Sequence, residues 1–227
     1  MREVCDDAYV LRARAYGDKR HLITLLSRDH GLVRVMWEGR TPYDMGTCVW
    51  AAYAPQGGKI PLARLERTET PYPSLAVTKT LMPEASRSLA ALYEVCHLLP
   101  RVLAQGHPYP PLFEALARLM ASARKADFAQ AHMVFRFFLL KTLGYGIDFS
   151  HTWSQGLRLF CQKTGMFCAQ ETQDTLKVPS FFATFMPEAS LALPVPLSED
   201  ALYKATIIAD RCCQAYLSVD EGLIIRT

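Results

Sequence analysis

Residues 8–37 read AYVLRARAYGDKRHLITLLSRDHGLVRVMW, and the fold is decided here. From Ala8 to Tyr16 the chain alternates. Leu11, Ala13 and Ala15 fall on one side, and Val10, Arg12, Arg14 and Tyr16 on the other. A period of two is what a half-buried strand shows. Gly17-Asp18 supplies a turn, and His21–Leu26 is an apolar run of strand length. Asp29-His30-Gly31 reads as a hairpin loop in which Gly31 takes the positive φ that such loops need. Leu32–Trp37 alternates again, with Val33, Val35 and Trp37 on one face.

Working outward, Gly39 breaks the third strand. Cys48–Tyr53 and Ile60–Arg67 are two more strands, separated by a Gly57-Gly58 turn. Five short strands in the first 67 residues predict a small closed barrel, because closure removes exposed sheet edges. An OB-fold and an SH3-like barrel both satisfy that count. Trp37 and Trp50 read as core residues, since large aromatic side chains are mostly buried.

Past Pro71 and Pro73 the periodicity becomes helical. Leu89, Leu92, Tyr93, Cys96 and Leu99 form one helix face, with Pro100 expected to kink or end it. Pro110 and Pro111 open a second helix through Leu112, Phe113, Leu116, Leu119 and Met120. Asp127 is placed to cap a third, which Gly144 ends. Residues 157–169 suggest a hairpin around Gly165, 170–198 read as irregular, and a last helix covers Glu199–Leu217. The predicted class is α+β. A barrel domain over 1–80 precedes a mainly helical domain over 81–227, the latter with a short hairpin or irregular insertion near 150–198.

The chain has 227 residues, half of them hydrophobic and 21% charged, which suits a folded globular protein. It contains no apolar run of membrane-spanning length, and charges interrupt its first seven residues where a signal peptide would be hydrophobic. A cytoplasmic protein with no membrane contact is expected. Seven scattered cysteines, an odd number, fit reduced thiols. Residues 1–80 carry 12 Lys and Arg against 9 Asp and Glu, whereas the remainder carries 13 of each. The net +3 therefore belongs to the barrel, a bias compatible with a polyanionic partner.

The motifs that would mark an enzyme are missing. The sequence contains neither G-x-x-x-x-G-K-[ST] nor G-x-G-x-x-G, and neither H-E-x-x-H nor G-x-S-x-G. Structural zinc needs two close ligand pairs, and Cys161 with Cys168 makes one loose pair. No catalytic residue, metal or cofactor is assigned. The basic residues carry more. Arg12 and Arg14 share a strand face with Tyr16, and Lys19 and Arg20 crowd the next turn. Arg34, Arg40, Lys59 and Arg64 lie on or beside later strands. Cations neutralise phosphates and aromatic rings stack bases, so these nine residues form the candidate nucleic-acid face.

Several segments resemble the RecO family of recombination mediators. Asp7–Leu11 with Ala15-Tyr16-Gly17-Asp18 is similar to its first strand and turn. Leu25–Val33 is similar to its second hairpin, and Glu38-Gly39-Arg40 to the basic segment after it. His107–Pro110 with Leu112-Phe113 resembles the family's link into a helix. Arg136–Leu140 with Leu143–Asp148 resembles its helix ending in Leu-Gly-Tyr-Gly, and Gln162–Gly165 its Pro-Lys-Ser-Gly turn. The resemblance implies an amino-terminal OB-fold and a helical carboxy-terminal domain. It also implies binding of single- and double-stranded DNA, annealing of complementary strands, and work with RecR and single-strand-binding protein to load RecA. Some family members carry zinc cysteines directly after Leu-Gly-Tyr-Gly. Here Phe149–Gly156 contains none. The competing expectation is a non-catalytic scaffold whose barrel binds protein only.

Overall fold

The computed structural model describes residues 3–39, 43–54, 59–67, 86–123, 125, 127–188, 191, 193 and 196–217. The chain forms two compact units, residues 1–125 and 126–227. The first therefore contains two helices as well as the barrel. Arg40, the Gly57-Gly58 turn and the Pro71/Pro73 junction lie outside the described residues.

The barrel strands are β1 (Val4–Ala15), β2 (Arg20–Ser27), β3 (Gly31–Glu38), β4 (Cys48–Tyr53) and β5 (Leu62–Arg67). They close in the order β1-β2-β3-β5-β4, antiparallel throughout except where β3 runs parallel to β5. This partly crossed five-stranded closure is the OB-fold arrangement, and it removes the SH3-like alternative. Ala8, Val10, Ile23, Leu25, Val35, Val49, Ala51, Ala63 and Leu65 fill the interior, with Val33, Trp37 and Tyr43 packed against them.

One expectation for β1 is corrected. Its register against β2 shifts between Val10 and Arg12. The extra residue, Leu11, breaks the alternation, so Val10 points into the barrel together with Ala13 rather than outward with Arg12. Trp50 is likewise no core residue. It pairs with Asp7 and Glu66 on the outer face and sits half-buried under the Arg64 guanidinium, 5.6 Å from the ring centroid.

Helices α1 (Ser86–Val102) and α2 (Pro110–Ser122) complete the first unit. Leu92, Cys96 and Leu99 are the buried face of α1. Pro100 does not end α1, which continues to Val102. Pro110 and Pro111 occupy the first turn of α2, where a missing N–H costs nothing. Phe113 of α2 meets Tyr9 at 5.2 Å between ring centroids. The outward row Cys48–Tyr9–Leu26–Leu32 is thus buried, at 3% exposure or less.

In the second unit, α3 (Phe128–Thr142) is buried along every residue from Ala131 to Leu140. Asp127 stands at its N-cap, but the carboxylate makes no capping bond there, contrary to expectation. Gly144, at φ 87°, follows the last turn as predicted. A short helix, α4 (Phe149–Ser154), is capped by Asp148, whose Oδ1 accepts the His151 N–H at 2.9 Å. The predicted hairpin is a three-stranded sheet: β6 (Leu159–Cys161) lies between β7 (Met166–Cys168) and β8 (Thr175–Lys177). A 3-10 turn at Ser180–Ala183 follows, then α5 (Glu199–Leu217) as expected. Edge-to-face contacts join Phe137 to Phe149, Phe182 and Phe185, and Arg136 of α3 pairs with Asp210 of α5.

Candidate nucleic-acid interface

The outer surface of β1–β2–β3 arranges the predicted cations in rows, because a hairpin's register fixes which side chains stand side by side. Arg12 pairs with Thr24, which pairs with Arg34. Arg12 and Arg34 therefore flank β2, about 10 Å apart at two inter-strand spacings. The next outward row is Arg14, Leu22, Met36 and Leu62. Arg12, Arg14 and Arg34 are exposed, and no carboxylate among the described residues pairs with any of them. Three uncompensated guanidinium groups on one sheet face give a local positive potential.

At the next level along the strands, Tyr16 is 61% exposed, and its N–H donates to the Arg20 carbonyl at 2.7 Å. Lys19 is exposed in the same turn. Arg20 differs from its neighbours. It stands opposite Glu38 and holds that carboxylate at 2.8 Å, so its charge is already compensated. Arg64, two residues past Leu62 on β5, is shared between the Trp50 ring and Glu66, 3.8 Å away. Lys59 is exposed just before β5. The fold therefore brings together Arg12, Arg14, Tyr16, Lys19 and Arg34. Arg20 and Arg64 are engaged elsewhere, and Arg40 lies outside the described residues.

Trp37 contributes no stacking platform here. Its ring lies 5.6 Å from His21 and 5.1 Å from Tyr43, partly buried against the barrel core. Tyr43 donates to the Leu65 carbonyl at 3.0 Å, and burial raises its phenol pKa. A Cβ at Gly39 would run into the Trp37 ring, which explains a glycine at that strand end.

Sequence reading missed the apolar members of the face: Leu22, Met36, Leu62 (55% exposed) and Ile60 (46% exposed). The signal existed for Met36, which must oppose Val33, Val35 and Trp37. It did not exist for Leu22, because Leu22 and Leu26 look alike in the run His21–Leu26, yet Leu26 is fully buried and Leu22 only half-buried.

Among the described residues no cluster of three or more His, Cys, Asp or Glu side chains is placed to hold a metal. Cys161 and Cys168 lie on adjacent strands but pair with Met166 and Leu159, not with each other. None of the eight predicted residues that are described lines the separate cleft of the second unit, bounded by Trp153, Arg158, Phe181, Phe185 and Lys204. No described helix is long and apolar enough to cross a membrane.

The closed β1-β2-β3-β5-β4 barrel with its appended helices defines an OB-fold protein with a helical extension. Comparison with known proteins narrows this. The family profile "Recombination protein O N terminal" matches residues 1–42, and "Recombination protein O C terminal" matches residues 83–177. The chain is 32% identical over 165 residues to the DNA repair protein RecO of Rhodospirillum centenum, covering 68% of this chain and 62% of the relative. It is 30% identical to the RecO of Aliivibrio salmonicida, with 69% and 65% covered. It is also 30% identical to the RecO of a Ruegeria species, with 70% and 68% covered. The chain belongs to the RecO family. Its matches span less than two thirds of the length of the first two relatives.

Proposed function

We propose that this protein works in recombinational DNA repair in the cytoplasm. It would bind single- and double-stranded DNA through the β1–β3 face of its barrel and anneal complementary single strands. With RecR, it would help load RecA onto strands coated by single-strand-binding protein. The observation that carries the reading is the row Arg12–Thr24–Arg34, two exposed and uncompensated cations in register on an OB-fold of this family. Membership in a family of DNA repair proteins supports the same assignment.

The reading requires no catalytic residue. Annealing makes and breaks no covalent bond. It needs neutralisation of two phosphate backbones and contacts weak enough for bases to sample pairing. Arg12, Arg14, Lys19, Arg34 and Lys59 would meet phosphates, and Tyr16 would stack a base.

The test is charge reversal. Arg12→Glu with Arg14→Glu should weaken binding of a labelled oligonucleotide at least tenfold more than Arg118→Glu with Arg124→Glu, which reverses as much charge outside the barrel strands. Equal losses would remove the barrel from the interface. Steep salt dependence separates this reading from a scaffold that binds protein alone.

A further inference from the structure

We propose that Leu22, Met36 and Leu62, with Ile60 at their edge, form a bed for unpaired bases, and that this bed makes the barrel prefer single strands to duplex. The inference rests on the DNA-binding reading above.

The same barrel offers a comparison. Its outward row Cys48–Tyr9–Leu26–Leu32 is apolar and lies buried in the first unit beside α2. The outward row Leu22–Met36–Leu62 is equally apolar but stays open: Leu62 is 55% exposed and Ile60 46%, with Leu22 and Met36 half-buried. Apolar side chains left uncovered on a folded surface mark a site that something else covers. The charges beside them say what. Arg14 is in the same row, and Arg12 and Arg34 stand in the adjoining row, about 7 Å away along the strands. A partner with anionic groups on one edge and flat apolar faces on the other fits both rows at once. An unpaired nucleic-acid strand has that character. A duplex does not, because its base faces are stacked inside and only phosphates and groove edges reach a flat sheet.

The experiment uses the whole chain and three labelled probes of equal length: a mixed-sequence single strand, its duplex, and an abasic single strand with the same phosphates and no bases. The wild type should bind the normal strand about tenfold more tightly than the abasic one, the gain from covering a modest apolar area. Ile60→Gln with Leu62→Gln should remove that preference, leaving abasic and duplex binding within about twofold of wild type. Both side chains are exposed, so an unchanged melting temperature confirms the fold. If the variant loses affinity for all three probes alike, or the wild type holds normal and abasic strands equally, the bed is overturned while DNA binding stands. If the wild type binds none of the three, the DNA-binding reading fails and the bed with it.

Discussion

Gly31 is closed over by the backbone of His107: a Cβ at Gly31 would overlap the His107 carbonyl group. The link between α1 and α2 is laid directly on the β2–β3 turn, and Gly106 N–H donates to the Leu32 carbonyl at 2.9 Å. Gly31 also sits at φ 67°, in the left-handed region.

Gly31→Ala should therefore cost about 3 kcal/mol or more, combining left-handed strain with a backbone collision that cannot relax cheaply. Gly17 is the matched control. It has φ 77° and open space where a methyl group would stand, so Gly17→Ala should cost about 1–2 kcal/mol of strain only. Denaturant unfolding of the two variants measures both, and equal losses would mean that the His107 segment yields freely.

Asp6, on β1 opposite Ala51, is buried. It accepts hydrogen bonds from the Ser27 hydroxyl and, at 2.7 Å, from the Asp29 N–H, with His30 Nδ1 3.5 Å away. Asp6→Asn should destabilise the chain by about 2 kcal/mol, since charge-assisted bonds are replaced by neutral ones. The neighbouring Asp7 carboxyl is raised chiefly by burial and next by the Asp6 charge. The same variant should bring the Asp7 pKa down toward its ordinary value, which carboxyl NMR titration would follow.

His132 is buried, stacked on Phe128 at 5.7 Å, with Nε2 unpartnered. Burial, then the nearby Arg136 charge, holds its pKa well below the ordinary value. The folded unit keeps His132 neutral while the unfolded chain takes up a proton below about pH 6.5. Stability is therefore complete above that pH and falls as pH drops toward the depressed folded value. Melting temperature should decline from pH 7.5 to pH 5 in the wild type. His132→Phe should flatten that decline, and an unchanged slope would assign the acid sensitivity to other groups.

Arg20 and Arg12 should differ as DNA contacts, although the sequence treats them alike. Arg20 is bound to Glu38, whereas Arg12 has no carboxylate partner among the described residues. Arg12→Gln should reduce the salt dependence of single-strand binding by about 0.7 in log–log slope, the value for one phosphate contact, and Arg20→Gln by clearly less. Parallel salt titrations of the two variants decide it.

Much of this was readable from residues. Alternation at Leu32–Trp37 gave β3 its face, and the hairpin at Asp29–Gly31 implied its register with β2. That register already set Arg20 opposite Glu38, eighteen positions apart, so their pairing could have been anticipated. The bulge at Leu11 could not, because an extra residue shows only against a partner strand. Nor could the contrast between Leu22, half-buried, and Leu26, fully buried on the same strand face. Of the small sheet, the β6–β7 hairpin was marked by Gly165, whereas β8 escaped because a three-residue strand carries too little periodicity to stand out.

The central claim, that the row Arg12–Thr24–Arg34 holds the phosphates of a single strand, is tested most directly by fluorescence anisotropy of a labelled oligonucleotide across salt concentrations. Wild type should be compared with Arg12→Gln/Arg34→Gln. The account predicts steeply salt-dependent binding whose log–log slope is reduced by about 1.4 in the double variant, two phosphate contacts at 0.7 each. An unchanged slope, or wild-type binding indifferent to salt, would contradict it.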